Sequence, residues 1–354
     1  MTEVTIIGVD LAKRVFQVHG AAADGSVVFR KKLSRAQFLR FLARQPACTV
    51  AMEACATSHY WGREIEKLGH TVRLIPPIYV KPFVKRQKND AADAEAIAEA
   101  ASRPTMRFVA VKTEGQQARA LIFRTRDLLV RQRTQLINAL RGHLAEYGVV
   151  VAQGVVHVKR LQDAIDAPEV KLPTMVRDIG RMYLDQIAMC SDKIGVLEKS
   201  IRTEAARGET TARLQTMPGI GPVCAMAIEA FAPPMDSFRR GRDFSAWLGL
   251  VPRQKSTGGK QILGKTSKMG QRDIRRLLII GAMSVIRWAV RKGAPEGSWL
   301  ARMLARKPRM VLAIALANSE RQCATGSSTP RTARSVWAML TKQEDYRNPV
   351  VAAA

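Results

Sequence analysis

Two apolar runs near the start of the chain each end on a carboxylate, and this pairing constrains the fold more than any other feature. VTIIGV leads into Asp10, and CTVAM leads into Glu53. Short runs rich in β-branched residues read as buried strands. An ionised carboxylate closing such a strand is costly unless it is paired or coordinates a metal.

The segments between and after them alternate strand and helix. RVFQVHGAAADGSVVFRKKL reads as two strands around a turn containing Asp24-Gly25. SRAQFLRFLARQ is a helix capped by Ser34, and SHYWGREIEKLG is a helix ended by Gly69. HTVRLIPP is a strand stopped by prolines, NDAADAEAIAEAA is a short alanine-rich helix, and RFVAV is a further strand. The order β-β-β-α-β-α-β-α predicts an α/β domain with a mixed sheet.

The remainder of the chain is mainly α. Residues 114–147 contain no proline and place Leu121, Leu128, Leu129, Leu136, Ile137, Leu140 and Leu144 at helical spacing. A second helical run covers about 175–206. The two fit a helical coiled-coil arm, a dimer element, or two ordinary packed helices. Residues 319–335, SERQCATGSSTPRTARS, read as a loop interrupting the last helical region.

Charge narrows the partner. The 354 residues carry 57 Lys and Arg against 30 Asp and Glu, a net of +27. Between Asp236 and Arg309 there are 18 basic and 4 acidic residues, a local net of +14. A polyanion, nucleic acid first, is the expected partner. There is no run of 18 apolar residues, so no membrane span or signal peptide is expected. The five cysteines, Cys48, Cys55, Cys190, Cys224 and Cys323, form no CxxC pair. Neither zinc nor a disulfide framework is signalled, and a reducing cytoplasmic setting is expected.

Asp90 and Asp93 open the alanine-rich helix, three residues apart and so near one face of its first turn. A helix start tolerates carboxylates, so Asp90 also serves as a capping residue. Clustered carboxylates repel one another unless a cation sits between them, and hard oxygen ligands suit Mg²⁺ or Mn²⁺. Two such ions about 4 Å apart clamp a phosphodiester displacement. Farther on, TMPGIGPVCAMAI (216–228) has the shape of a helix-hairpin-helix, with Gly219 and Gly221 giving a tight turn whose backbone N–H groups hold phosphate. In FSAWLGLVPRQKSTGGKQILGKTSKMGQRDIRRLLI (244–279), a flexible cationic stretch, Ser256 and Thr257 precede Gly258-Gly259, with Arg253, Lys255 and Lys260 around them. A hydroxyl among cations is equipped to attack a phosphodiester. Lys265, Lys268 and Arg272 extend the candidate phosphate contacts.

GVDLAK, AMEA and KNDAADA, in this order within β-β-β-α-β, resemble the ribonuclease-H-like fold in its RuvC-like form, and specifically the DEDD tetrad of an insertion-sequence transposase family. That family is the IS-one-ten family, in its IS-eleven-eleven group. The resemblance spans nearly the whole chain. It implies a metal-binding tetrad of Asp10, Glu53, Asp90 and Asp93, and a C-terminal transposase domain whose serine, after the GLVPRQ-type motif, joins covalently to DNA. Ser256 matches that serine. Thr257 is the adjacent hydroxyl, and Ser267 is a third, expected to contact phosphate. The implied domains are 1–113 (RuvC-like), 114–206 (arm) and 207–354 (serine-bearing). The implied partners are element-end and target DNA, a bridge RNA, and further copies of the chain as a dimer or tetramer. The loop at 319–335 departs from the family pattern, in which the last helix runs on.

The alternative is a RuvC-like Holliday-junction or structure-specific endonuclease that uses water; it shares the tetrad but needs no long basic second half. An actin-like ATPase needs a second glycine-rich phosphate loop after a strand, which the sequence lacks. A non-catalytic nucleic-acid-binding protein would tolerate alanine at all four acidic positions.

Overall fold

The computed structural model describes residues 3–84, 90–294, 298–318 and 332–346. The chain divides into two compact units, residues 1–117 and 118–354.

The first unit is built on a five-stranded sheet. Its strands are β1 (Ile6–Asp10), β2 (Val15–Ala21), β3 (Val27–Ser34), β4 (Thr49–Glu53) and β5 (Thr71–Ile75), in the spatial order β3-β2-β1-β4-β5. β1 pairs antiparallel with β2 and parallel with β4, so the sheet is mixed, as expected. The β2–β3 turn closes through Ala22 N–H to Ser26 O and Ser26 N–H to Asp24 Oδ1, with Gly25 at φ +85°. Ser34 caps α1 (Arg35–Leu42) in a reciprocal box with Gln37. With α2 (Ser58–Glu66), α1 covers one face of the sheet over Ile7, Val9, Phe16, Val50, Met52 and Trp61. After α3 (Pro77–Val80), α4 (Asp90–Ser102) covers the other face, where Ala96, Ile97, Ala100 and Ala101 pack with Ala51 and Ile75.

The expected strand at RFVAV is not one. Only Val109 bridges to Leu74, through a single hydrogen bond of 2.7 Å. The segment is pinned by side chains instead: Arg73 lies 4.9 Å over the Phe108 ring, and Val109 and Val111 pack into the cluster under α2.

Among the described residues, the second unit is helical apart from one hairpin. α5 (Glu114–Ala145) starts just before the division, and α6 (Val158–Asp166) and α7 (Thr174–Arg207) come next. α5 and α7 run antiparallel: Arg126 pairs with Glu198, Arg133 donates to Ser191 Oγ, and His143 meets Tyr183. Ile137, Leu140 and Leu144 bury against α6 and α7, while Leu121 and Leu128 stay exposed. A larger core joins α8 (Glu209–Gln215), α9 (Pro222–Phe231), α10 (Gly241–Trp247), α11 (Arg272–Lys292), α12 (Trp299–Arg306), α13 (Arg309–Asn318) and α14 (Thr332–Lys342). The stretch expected as a loop at 319–335 ends earlier: its last four residues open α14. Thr332 and Ala333 are buried, and the Thr332 hydroxyl donates to Leu316 O, so a polar-looking sequence belongs to the core. The rest of that stretch, 319–331, lies outside the described residues. Among the described residues, no helix is long and apolar enough to cross a membrane.

Candidate active site

Sheet register sets the acidic edge. β1 and β4 are parallel neighbours with Val9 opposite Met52, so Asp10 and Glu53 stand on the next rung. Strand alternation gives them the face of Gly8 and Ala51, the face that α4 covers. α4 seats unusually close there. A Cβ on Gly8 would lie 2.2 Å from Ala94 O and 2.9 Å from Ala98 Cβ. The alanines that looked only like helix formers are what lets the helix rest on the sheet backbone. Asp93 immediately precedes Ala94, so the start of α4 is delivered to the edge where β1 and β4 end.

The electrostatics agree with this placement. Burial pushes the Glu53 carboxyl above its ordinary value, and Asp10 and then Asp93 push it further. Glu53 thus feels the charge of both Asp10 and Asp93. Asp90 is the first residue of α4, and its side chain lies outside the described residues. Among the described residues, no three His, Cys, Asp or Glu side chains form a group able to hold a metal ion. Hard oxygen donors whose charge raises the pKa of a half-buried neighbour, Glu53, nonetheless suit a hard divalent cation, which would relieve the repulsion. Cys55 was not anticipated here. Its thiol is pushed up by burial, then by Glu53, and Asp10 adds to the shift, so it is a neutral neighbour of the carboxylates. Its position two residues past Glu53 was the only signal in the sequence.

The second candidate centre is a hairpin of β6 (Pro252–Gln254) and β7 (Leu263–Thr266). Thr257 and Lys260 exchange backbone hydrogen bonds of 3.3 and 3.0 Å around Gly258-Gly259, both at positive φ, which makes a tight two-residue turn. Ser256 is exposed beside the tip. Lys255 N–H pairs with Ile262 O, so Arg253, Lys255, Thr257 and Lys260 share one face. Ser256 stands on the other, with Gln254. By strand alternation the adjacent hydroxyl, Thr257, shares the face of Arg253, Lys255 and Lys260, and Lys265 falls on the Ser256 face. Ser267 sits at the hairpin base, its carbonyl accepting from Arg253 and its hydroxyl oxygen buried without a hydrogen-bond partner. Lys265, Lys268 and Arg272 are exposed.

The glycines of this stretch, read as flexibility, do the opposite at its base. A Cβ on Gly249 would lie 2.0 Å from Met269 O, and one on Gly270 would lie 1.9 Å from Trp247 O. Lys268 N–H bonds Gly249 O, Gln271 N–H bonds Trp247 O, and Arg275 donates to Leu248 O and Met269 O. Close backbone approach demands glycine here and locks the two segments together. Gly281 of α11 has a similar reason, since its Cβ would lie 1.9 Å from Gly219 O; Gly219, in the turn between α8 and α9, is itself at φ +88°. Gly221 is exposed where α9 begins.

Comparison with known proteins matches both regions. A model described as "Transposase" matches residues 7–149, which hold Asp10, Glu53, Asp90 and Asp93. A model described as "Transposase IS116/IS110/IS902 family" matches residues 211–295, which hold the glycine turn and the hairpin. The chain belongs to the IS110 transposase family. A probable family 20 transposase of Pseudomonas aeruginosa is 46% identical over 343 residues, covering 96% of this chain and 98% of the relative. The transposase for insertion sequence element IS1328 of Yersinia enterocolitica is 41% identical, covering 90% and 95%. The transposase for insertion sequence element IS1111A of Coxiella burnetii is 38% identical, covering 98% and 92%. The molecule is thus an insertion-sequence transposase, an enzyme that cuts and rejoins DNA, with a DEDD domain of the ribonuclease-H-like family. DNA is its partner, and the DEDD domain goes with divalent-metal dependence.

Proposed function

We propose that this transposase cuts and rejoins DNA through a serine nucleophile, Ser256, with Asp10, Glu53, Asp90 and Asp93 holding Mg²⁺ or Mn²⁺. Ser256 Oγ attacks a phosphodiester phosphorus, one DNA end departs as a hydroxyl, and a phosphoserine link remains. The proton lost by the serine is balanced by the one the departing hydroxyl gains. A second DNA hydroxyl then attacks the phosphoserine and restores the serine. A divalent cation on the carboxylates would stabilise developing phosphoryl charge. Gly219 and Gly221, in a helix-hairpin-helix, and Arg253, Lys255, Thr257, Lys260, Lys265, Lys268 and Arg272 contact phosphates. The observation that carries the metal assignment is the adjacent placement of Asp10 and Glu53, where burial first and then repulsion from Asp10 raise the Glu53 pKa.

We assign 1–113 to a RuvC-like domain, 114–206 to a coiled-coil arm and 207–354 to the serine-bearing domain. Support for the arm comes from Met175, Met182, Met189 and Val196 on α7, which are exposed and recur every seven residues, the period of a coiled-coil seam. Such a seam pairs copies of the chain as a dimer or tetramer. A bridge RNA would supply sequence recognition by base pairing, in keeping with a charge-rich surface.

One observation favours a second reading. Ser256 is on the hairpin face without Arg253, Lys255 and Lys260, which suits an endonuclease that uses water. Covalent trapping separates the two. The protein is incubated with its element's end DNA, the element's non-coding RNA and Mg²⁺, then denatured. An adduct lost with Ser256→Ala and kept with Thr257→Ala is the expected result. Loss only with Thr257→Ala moves the nucleophile by one residue, and cut DNA without adduct establishes the water mechanism.

A further inference from the structure

The outer face of α11 combines groups that a solvent-facing helix seldom gathers. Ile280, Ser284, Arg287, Trp288 and Arg291 succeed one another at spacings that put them on a single stripe. All five are exposed, Trp288 at 63%. The opposite stripe, Ile274, Leu278, Ala282, Ile286 and Ala289, is buried and fixes the helix's rotation. The indole is therefore held outward by the core behind it. Arg276, earlier on the helix, pairs with Asp127, whereas Arg287 and Arg291 enter no ion pair among the described residues. The one carboxylate of α11, Asp273, lies on the same side of the helix but in its first turn, about two turns before Ile280 and four before Arg287.

We propose that this stripe binds single-stranded DNA, with Trp288 stacking on an unpaired base and Arg287 and Arg291 holding the neighbouring phosphates. An aromatic surface set between cations is the arrangement that grips unpaired strands, because every base has a π-face and every step a phosphate. A duplex offers phosphates but hides its base faces. A second copy would set four arginines, Arg287 and Arg291 from each chain, against two carboxylates, the Asp273 of each, so the charge balance favours a polyanion. DNA is the substrate of a transposase, and its cut ends supply unpaired bases. This site is independent of the nucleophile: it stands or falls whether serine or water cuts.

The test is fluorescence anisotropy of the full-length protein with labelled oligothymidylate and with a duplex of equal length, over a range of salt. Trp288→Ala is expected to weaken single-strand binding by about 5- to 100-fold while leaving duplex binding and the salt slope unchanged. Trp288→Phe should restore most of the loss. Arg287→Gln with Arg291→Gln should weaken both and lower the single-strand salt slope by about 1.4. Circular dichroism of each variant checks the fold. An equal loss on both DNAs, or no loss, overturns the proposal. A change of oligomeric state in Trp288→Ala would make the face a contact between copies. Tighter, Trp288-dependent binding of oligouridylate would make RNA the occupant.

Discussion

The acidic edge and the serine hairpin place their reactive groups by opposite means. At the edge, Asp10 and Glu53 end buried strands, and α4 is pressed against the sheet with Gly8 beneath Ala94 and Ala98. Position is dictated by backbone on backbone. At the hairpin, Ser256 is exposed beside the tip of a two-stranded ribbon, and rigidity stops at the base, where Gly249 and Gly270 interlock. An isolated two-stranded hairpin is marginal in water, so its tip is ordered only by what lies behind it. One proposed centre is held by packed backbone, and the other sits at the end of a two-stranded ribbon.

The contrast is sharpest in activity. Asp10→Asn or Glu53→Gln should lower strand transfer by about 10²-fold or more, the scale for removing a preorganised electrostatic group, with DNA binding retained. Full activity in either variant would remove the edge from the chemistry. Next in size is the response to a single methyl. Gly8→Ala should cost about 1–3 kcal/mol by overpacking. Gly270→Ala should exceed it, since a left-handed backbone adds about 1–2 kcal/mol. Gly259→Ala at the tip meets nothing within 4 Å, so it should cost only the left-handed backbone's about 1–2 kcal/mol and lower the melting temperature less than Gly270→Ala. Equal melting of Gly270→Ala and Gly259→Ala would mean the base is not locked. The smallest effect is on pH. Glu53 titrates above its ordinary 4.5, so the folded state holds its proton longer than the unfolded chain. Metal-free stability should therefore fall as pH rises from 4.5 through the raised value. Glu53→Gln should flatten that fall, and a divalent cation should reverse it. A fall of the same size in Glu53→Gln would assign it to other groups.

Sequence made the edge legible because period-two strands closing on carboxylates leave few places for them. The Ser34 cap, the Asp24-Gly25 turn and both long helices were equally readable, since each rests on local chemistry. RFVAV failed as a strand because alternation predicts a pleat but not whether an edge is free to pair. Thr332 and Ala333 read as loop because composition does not reveal burial. The glycines around the hairpin were misjudged for a related reason. A glycine is permissive in isolation, but Gly249 and Gly270 are demanded by carbonyls about twenty residues away in sequence. Ser256 was found by resemblance, and the face it shares depends on a hydrogen-bond register that only the folded hairpin displays.

The seating of α4 has one more consequence. Because Ala94 and Ala98 meet Gly8 with no side chain between, the spacing from Asp93 to the sheet has no adjustable shim. The aromatic layer of Phe16, Phe38 and Trp61 lies on the far side of the sheet. An engineer who enlarges position 8, 94 or 98 lifts the helix itself, and Asp93 with it.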